Sequence, residues 1–319
     1  MSIREIKSKL PNEIMDMLYE LYSPIEVDEI LRSYKDGRRT TLRINTLKNS
    51  MGQVLQELRK RGIKFSNCSF IKDALIVGDY RESDISKLPS YKEGRIYLQN
   101  LSSMLPPMFL DIEENMDILD MCASPGSKTT QMAALINNKG IIVANEINPI
   151  RRERLKYNVD KQGAKCVQVI GEDGKKLGGI FKERFHRVLL DAPCSGEGTI
   201  YIKKPESYRK WNKRTMMKNS KLQKRLLESG VNALKKGGIL VYSTCTLSPE
   251  ENEEVINEIM YRYTNLRIME MNFKLKNSSM GITSYKNKVY HPSLSNALRV
   301  LPNKDMEGFF VCKIRKNRD

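Results

Sequence analysis

The sequence predicts an α/β fold: a doubly wound, mainly parallel sheet preceded by a smaller α+β module. Two observations carry that expectation. From about residue 93, short apolar runs alternate with stretches of helical period, the pattern of strands joined by crossover helices. Several of those runs end on an acid followed by a turn, at the strand edge where open parallel sheets keep their ligand crevice. The expected division is 1–92 for the first module and 93–319 for the second.

In the first module Ile14, Leu18, Leu21 and Tyr22 recur at helical spacing, and Ile30 and Leu31 mark a second short helix after Pro24. RRTTLRINTLK at 38–48 alternates like a strand and carries four basic residues. Val54, Leu55 and Leu58 mark another helix, ended by Gly62, and 74–77 reads as a strand. In the second module, 118–120 is a strand followed by a turn and a helix through 129–136. A second strand at 140–146 leads to a helix opened by Pro149 and ending near Gly163, with proline in its favoured first turn. Strands follow at 167–170 and 188–190. Leu222, Leu226 and Leu234 line a long helix expected to stop at Gly237 and Gly238, before a strand at 239–242. Ser248-Pro-Glu-Glu is expected to cap the next helix, and 309–314 to add an edge strand.

Lys+Arg 55 against Asp+Glu 38 leaves a net charge of +17, an excess that points to a polyanion, most often nucleic acid. It clusters at 203–225, where ten basic residues and one acid surround Tyr208 and Trp211. A merely solvated helix face would be diluted with glutamate. Cations spaced by aromatics suit an RNA backbone and stacked bases, and Arg38, Arg39 and Arg43 would extend that surface. The six cysteines are scattered without a C-x-x-C pair, which argues against a metal site or a disulfide scaffold. The amino terminus lacks an apolar signal core and no stretch approaches a membrane span. A cytoplasmic monomer without metal or membrane attachment is the expectation.

The chemistry concentrates at 186–200. Val188-Leu189-Leu190 reads as a buried strand with Asp191 at its carboxyl end, and Pro193 cannot continue the pairing. Cys194 therefore lands on an exposed turn beside an acid, with Gly196 and Gly198 giving tight-turn freedom. A second thiol, Cys245, follows another strand on the same edge. The turn DMCASPGSKTT at 120–130 is not G-x-G-x-x-G, because Gly126 stands alone, nor a phosphate loop, because Ser127 occupies the second glycine position. Glu146 lies at the end of the second strand, roughly twenty residues after that turn, where an acid accepts ribose hydroxyls. With Asp173 after the third strand and Asp191 after the fourth, three acids on one sheet edge outline a nucleoside site.

These stretches (DMCASPGSKTT at 120–130, NEINPIRRERL at 145–155, LLDAPCSGEGT at 189–199, VYSTCTLSPEENE at 241–253, EGFFVCKI at 307–314 and RINTLK at 43–48) together resemble the Sun-type RNA cytosine-5 methyltransferases, which include the bacterial RsmB and RsmF enzymes. The likeness covers nearly the whole chain. It implies a Rossmann-like methyltransferase domain that binds S-adenosylmethionine, with an RNA-binding amino-terminal module and a cytosine in rRNA or tRNA as target. Carried over by position, Cys122, Ala123, Ser124, Pro125, Gly126, Ser127 and Lys128 surround the methionine part of the cofactor. Glu146 meets the ribose, Arg151 belongs to the same set, Asp173 lies by the adenine and Asp191 closes the site. CASPGSKT replaces the commoner CAAPGGKT, and QNLSS at 99–103 replaces QDPSS. The chain stops straight after its last strand, where many relatives carry a further RNA-binding domain.

Carbon-5 of cytosine is too weakly nucleophilic to take a methyl group directly, so a thiolate must first add to carbon-6. Free cysteine is only a few per cent thiolate at neutral pH, and the expectation is that Lys128 helps through its charge. Asp191 would contact the cytosine amino group and ring nitrogen, and the base must be unpaired or flipped out. The residues alone treat the two thiols alike, and a Pro-Cys turn is the nucleophile in DNA cytosine-5 methyltransferases. The Sun-type resemblance implies Cys245 as nucleophile and Cys194 as the thiol that helps release product. An amino-group methyltransferase would carry D/N-P-P-aromatic where DAPC stands, and a non-catalytic RNA-binding factor would not need Asp191, Cys194 and Cys245 intact. Cys68, Cys166 and Cys312 read as small buried hydrophobes, Cys122 as packing behind the cofactor, and His186 and His291 as structural or surface residues.

Overall fold

The computed structural model describes residues 2–48 and 51–318. Its strands, in chain order, are β1 (Thr41–Ile44), β2 (Phe65–Asn67), β3 (Ala74–Val77), β4 (Ile96–Leu98), β5 (Met116–Asp120), β6 (Gly140–Asn145), β7 (Val167–Ile170), β8 (Phe185–Asp191) and β9 (Leu234–Thr244). They continue with β10 (Leu266–Ile268), β11 (Ser278–Met280), β12 (Ser284–Tyr285), β13 (Lys288–Val289), β14 (Leu298–Val300) and β15 (Phe309–Lys316). The first four form a small antiparallel sheet in the order β2-β3-β1-β4.

The large sheet runs β11-β14-β15-β9-β8-β5-β6-β7, with β10 also paired to β15. β5 to β9 pair in parallel and the late strands antiparallel. The chain builds β5, β6 and β7 to one side, then returns past β5 to lay down β8 and β9. The strand order therefore reverses between β5 and β8, which places the crevice of a doubly wound sheet beyond their carboxyl ends. Side chains alternate between faces: Leu119, Val188, Leu190, Leu240 and Tyr242 enter one core, Ile118, Leu189, Ile239 and Val241 the other. The helices Lys213–Ala233 and Glu253–Arg262 close the first core, and Leu101–Met108, Ser127–Leu135 and Pro149–Gln162 the second. Two covered faces explain why these strands read as continuous apolar runs.

Three expectations are corrected. The helix 213–233 ends before Gly237, and Leu234, Gly237 and Gly238 all lie inside the eleven-residue β9. Gly237 keeps a left-handed φ of 80°, and regular pairing with β8 and β15 resumes at Ile239. The segment 309–314 is not at an edge, since β15 is bonded to β9 on one side and to β14 and β10 on the other. Ser248-Pro-Glu-Glu does not cap a helix; the helix begins at Glu253, and the intervening turn is buried. Elsewhere Pro149 stands in the first turn and Gly163, at φ 71°, ends its helix as expected.

The amino-terminal helices Asn12–Leu21 and Pro24–Asp36 pack Ile14, Leu18, Ile30 and Tyr34 against Ile200, Ile202, Tyr208 and Leu247 of the large domain. Arg299 on β14 fastens this junction from inside. Fully buried, it makes two 2.6 Å bonds to the carboxylate of Glu253 and donates to the Tyr22 hydroxyl at 2.9 Å and the Leu247 carbonyl at 3.0 Å.

Candidate active site

The carboxyl ends of β5, β6, β8 and β9 carry the site, because parallel register aligns them. Asp191 pairs with Ser243 across β8 and β9, so the turns that follow each strand emerge side by side. The Cys194 and Cys245 sulfurs are consequently 3.2 Å apart, both as free thiols. The hydrogen bond to Cys245, with burial and the charge of Glu251, holds the Cys194 thiol well above its usual range. Gly198 lies so close to Gly308 that a Cβ would collide with the Gly308 carbonyl, fixing the end of the Cys194 turn against β15's approach.

Asp191 is clamped on both oxygens. Oδ1 accepts from Ser243 Oγ at 2.7 Å, and Oδ2 pairs with Lys128 Nζ at 2.7 Å. Lys128 stands in the first turn of the helix Ser127–Leu135 and also donates to Ser103 Oγ at 2.7 Å. That bond gives QNLSS at 99–103 a role: Asn100 caps its helix and Ser103 seats the lysine. Gln99 meanwhile accepts from Arg43 and donates to Gln131.

Among the other expected residues, Gly126 takes φ 103° at the start of the helix, a conformation glycine alone adopts freely. Ala123 N donates to Asn145 O, Ser124 Oγ donates to Arg151 O, and Pro125 O accepts from Asn158. The Arg151 guanidinium returns to Ser124 O at 3.2 Å and to Glu146 Oε2 at 3.3 Å. Glu146 is buried, its Oε1 accepting from Asn148 N at 2.9 Å. Asp173 caps a short turn through Lys175 N and stays partly exposed. Cys122 is half-buried with its thiol pushed up by burial, the behaviour of a packing residue. Cys68 and Cys312 are buried and Cys166 partly so. His186 accepts from Asp117 N at the opposite sheet edge.

Several residues of the site gave no signal in the sequence. Asp120 is buried with its carboxyl pushed up to about 7 by burial. Its Oδ2 accepts from Thr129 Oγ1 at 2.7 Å, and Oδ1 has no hydrogen-bond partner. Glu197, Glu251 and Glu307 also border the site; their burial depends on strands far apart in sequence. Among the described residues no three His, Cys, Asp or Glu side chains group as for a metal, and no helix is long and apolar enough to cross a membrane.

The basic surface is also corrected. Tyr208 is 5% exposed in the helical core, and Trp211 donates to Glu197 Oε1 at 2.7 Å, so both aromatics hold the fold instead of facing bases. Arg43 is buried against Gln99 and Thr130, Arg38 donates to the Gly198 and Met306 carbonyls, and Arg39 pairs with Asp305. An alternating pattern cannot distinguish an arginine that binds phosphate from one that binds carbonyls. Lys203, Lys204, Arg209, Lys210, Lys213 and Arg214 do remain exposed. Lys203 and Lys204 line a cleft of ≈ 790 Å³ together with Arg39 and Arg81.

A reversed strand order, a glycine turn after β5 and strand-end carboxylates define the doubly wound, nucleotide-binding class of α/β fold. The chain's residues 107–315 match the family described as 16S rRNA methyltransferase RsmB/F, and residues 10–82 match the ferredoxin-like domain of RsmF/B-like methyltransferases. The chain belongs to this RsmB/F family. Ribosomal RNA small subunit methyltransferase F of Vibrio campbellii is 35% identical over 301 residues, covering 92% of this chain and 60% of the relative. The enzyme of the same name from Shewanella oneidensis is 36% identical over 312 residues, covering 97% and 64%. The chain thus spans less than two thirds of the length of these relatives. A methyltransferase homolog protein from Pyrococcus horikoshii superposes with TM-score 0.77 at 31% identity, covering 96% of this chain and 100% of that one. NSun6 from Pyrococcus horikoshii shares the fold, with TM-score 0.75 at 23% identity, covering 99% and 98%.

Proposed function

We propose that the chain is an RNA (cytosine-5)-methyltransferase that uses S-adenosylmethionine, acts on a cytosine of small-subunit ribosomal RNA and works through a covalent Cys245 adduct. The observation that carries this reading is the pair of sulfurs 3.2 Å apart beside the Lys128–Asp191 ion pair. Amino-group transfer needs no thiol, whereas carbon-5 chemistry has work for two.

The residues present fit the cofactor. Glu146 and Asp173 offer acceptors for hydroxyls and an amino group, and the unpartnered Asp120 Oδ1 lies beneath the glycine turn. Ser124, Gly126 and Arg151 would frame the methionine part. Bound there, S-adenosylmethionine supplies an electrophilic methyl group. The protein's own contribution begins at Cys245, whose thiolate adds to carbon-6 of the ring. The Cys194 thiol, held protonated by burial and by its contact with Cys245, can donate to that sulfur. Lys128 pairs with Asp191 at 2.7 Å and orients it, so the carboxylate can accept from the cytosine amino group beside the ring nitrogen where charge builds. After transfer, the Cys194 thiol passes its own proton to solvent and takes the carbon-5 proton, directly or through water, and the electrons of that C–H bond expel Cys245 as thiolate.

The amino-terminal module and the exposed lysines at 203–214 would position the RNA, with the target base flipped into the crevice. Bisulfite sequencing of ribosomal and transfer RNA from a strain lacking the gene tests the assignment. One small-subunit cytosine should lose its protection and regain it when the gene is restored. An unchanged pattern in both RNA classes would overturn it.

A further inference from the structure

Each reactive turn places a hydroxyl directly after its thiol: Ser195 follows Cys194, and Thr246 follows Cys245. Both hydroxyls meet a fully buried carboxylate. Ser195 Oγ is 2.8 Å from Glu197 Oε1 and also contacts Glu251 Oε2, while Thr246 Oγ1 contacts Glu197 Oε2. Ser195 N donates to both oxygens of Glu251 at 3.2 Å. Gln223 Nε2 joins Glu251 Oε1 at 2.9 Å to the Pro193 carbonyl at 2.8 Å, and Trp211 Nε1 donates to Glu197. Glu197 and Glu251 are both 0% exposed, and neither takes part in an ion pair among the described residues.

Counting donors exposes a deficit. The Ser195 hydroxyl has one proton, yet it lies against acceptor oxygens of two carboxylates. With both acids ionised, one of those contacts would set acceptor against acceptor in a site without a cation. A single added proton on Glu251 completes a directional chain: Glu251 donates to Ser195 Oγ, and Ser195 donates to Glu197. Thr246 and Trp211 donate to Glu197 from its other sides.

We propose that Glu197 and Glu251 are positioning residues that share one proton and thereby hold the Cys194 turn against the Cys245 turn. The inference deepens the reading of the two thiols as the reacting pair and rests on it for its functional meaning. Burial and the neighbouring Glu197 push the Glu251 carboxyl up to about 7, which agrees with the added proton. The other ionisable groups facing the pair are Cys194, Tyr242 of β9, Tyr34 of the helix Pro24–Asp36 and Arg38. Burial raises both tyrosines, so neither is anionic at neutral pH, and Arg38 is spent on carbonyls.

Two measurements on the full chain, both independent of RNA, test this. In infrared difference spectra across neutral pH, the wild type should show a buried protonated carboxyl band that disappears with a midpoint about 7. Glu251→Gln should remove that band and leave only the share of Asp120, whereas Glu197→Gln should move it to lower pH by removing a like charge. Phenylarsine oxide, which needs two adjacent thiols, reads the sulfur spacing. Glu251→Leu should weaken its binding by about tenfold or more, as loss of a hydrogen-bonded anchor implies. Glu251→Gln, which keeps a neutral donor, should bind it like wild type. A titrating band of undiminished amplitude in Glu251→Gln would overturn the shared proton. Undiminished arsenical binding by a folded Glu251→Leu protein would overturn the positioning role, while leaving RNA methylation itself to stand or fall on sequencing.

Discussion

The sulfur atoms of Cys194 and Cys245 lie 3.2 Å apart across 51 residues of chain, brought together by the pairing of Asp191 with Ser243. Neither turn alone makes the site. Proximity gives the thiols different tasks, because attack must precede release. If Cys245 attacks, Cys245→Ala forms no adduct but still binds cofactor and RNA. Cys194→Ala methylates and then releases poorly, so a denaturation-resistant protein–RNA complex accumulates. The double variant shows none. Denaturing gels with the cognate RNA read all three, and a complex in Cys245→Ala but not in Cys194→Ala would reverse the roles.

Glu146 closes the end of β6 with both oxygens already anchored, to Asn148 N and Arg151. Its remaining lone pairs are therefore pre-aimed. Glu146→Ala should weaken S-adenosylmethionine binding strongly, by about tenfold or more, since a hydroxyl pair loses its acceptor. Calorimetry in the absence of RNA checks this, and equal affinities would remove Glu146 from the cofactor site.

Lys203, Lys204 and Arg209 stay exposed, and the two lysines line the cleft beside Arg39 and Arg81. Neutralising them should flatten the salt dependence of RNA binding, by about 0.7 in slope for each single-strand phosphate that is no longer neutralised. Arg43→Gln should instead destabilise the fold, because that side chain bridges Gln99, Ser127 and Thr130 inside the protein. Identical salt slopes for wild type and the triple lysine–arginine variant would return the run to a solvated face.

The Arg299–Glu253 pair is buried at both ends. Removing one partner strands a charge, so Arg299→Met should cost roughly 3–5 kcal/mol. Arg299→Met with Glu253→Leu should cost less than the sum of the single changes, because no lone charge is left. Urea unfolding of the four proteins gives the coupling directly.

Two buried acids make stability depend on pH in one direction. The Glu251 carboxyl is pushed up from 4.5 to about 7, and Asp120 from 3.8 to about 7, both chiefly by burial. The folded state thus holds these protons more tightly than the unfolded state. Their contribution is full below about pH 4 and is lost as pH rises to about 7. Melting temperature should fall across that window from this cause. Glu251→Gln should shallow the fall without abolishing it, and a slope equal to wild type would show that Glu251 does not titrate there.

Order along the chain was enough to read the parallel strands, since residues such as Val188-Leu189-Leu190 are buried on both faces whatever their partners. The helix opened by Pro149 and closed by Gly163 was equally legible, because caps act within a few residues. The sulfur pair could be named from motif residues, as strand-end turns in a parallel sheet share one edge. What sequence could not decide were matters of neighbours. Gly237 and Gly238 look like the stop, but the helix has already ended at Ala233, because Leu234 pairs with Phe185 of β8 before the glycines are reached. Tyr208, Trp211, Arg38 and Arg43 have the chemistry of an RNA surface, and only tertiary packing turns them inward. Glu197 and Glu251 look like ordinary surface acids in SGEGT and SPEEN. Their burial beside each other, and the proton that burial demands, arise only when the two turns meet, since desolvation depends on every element around a group and not on its own segment.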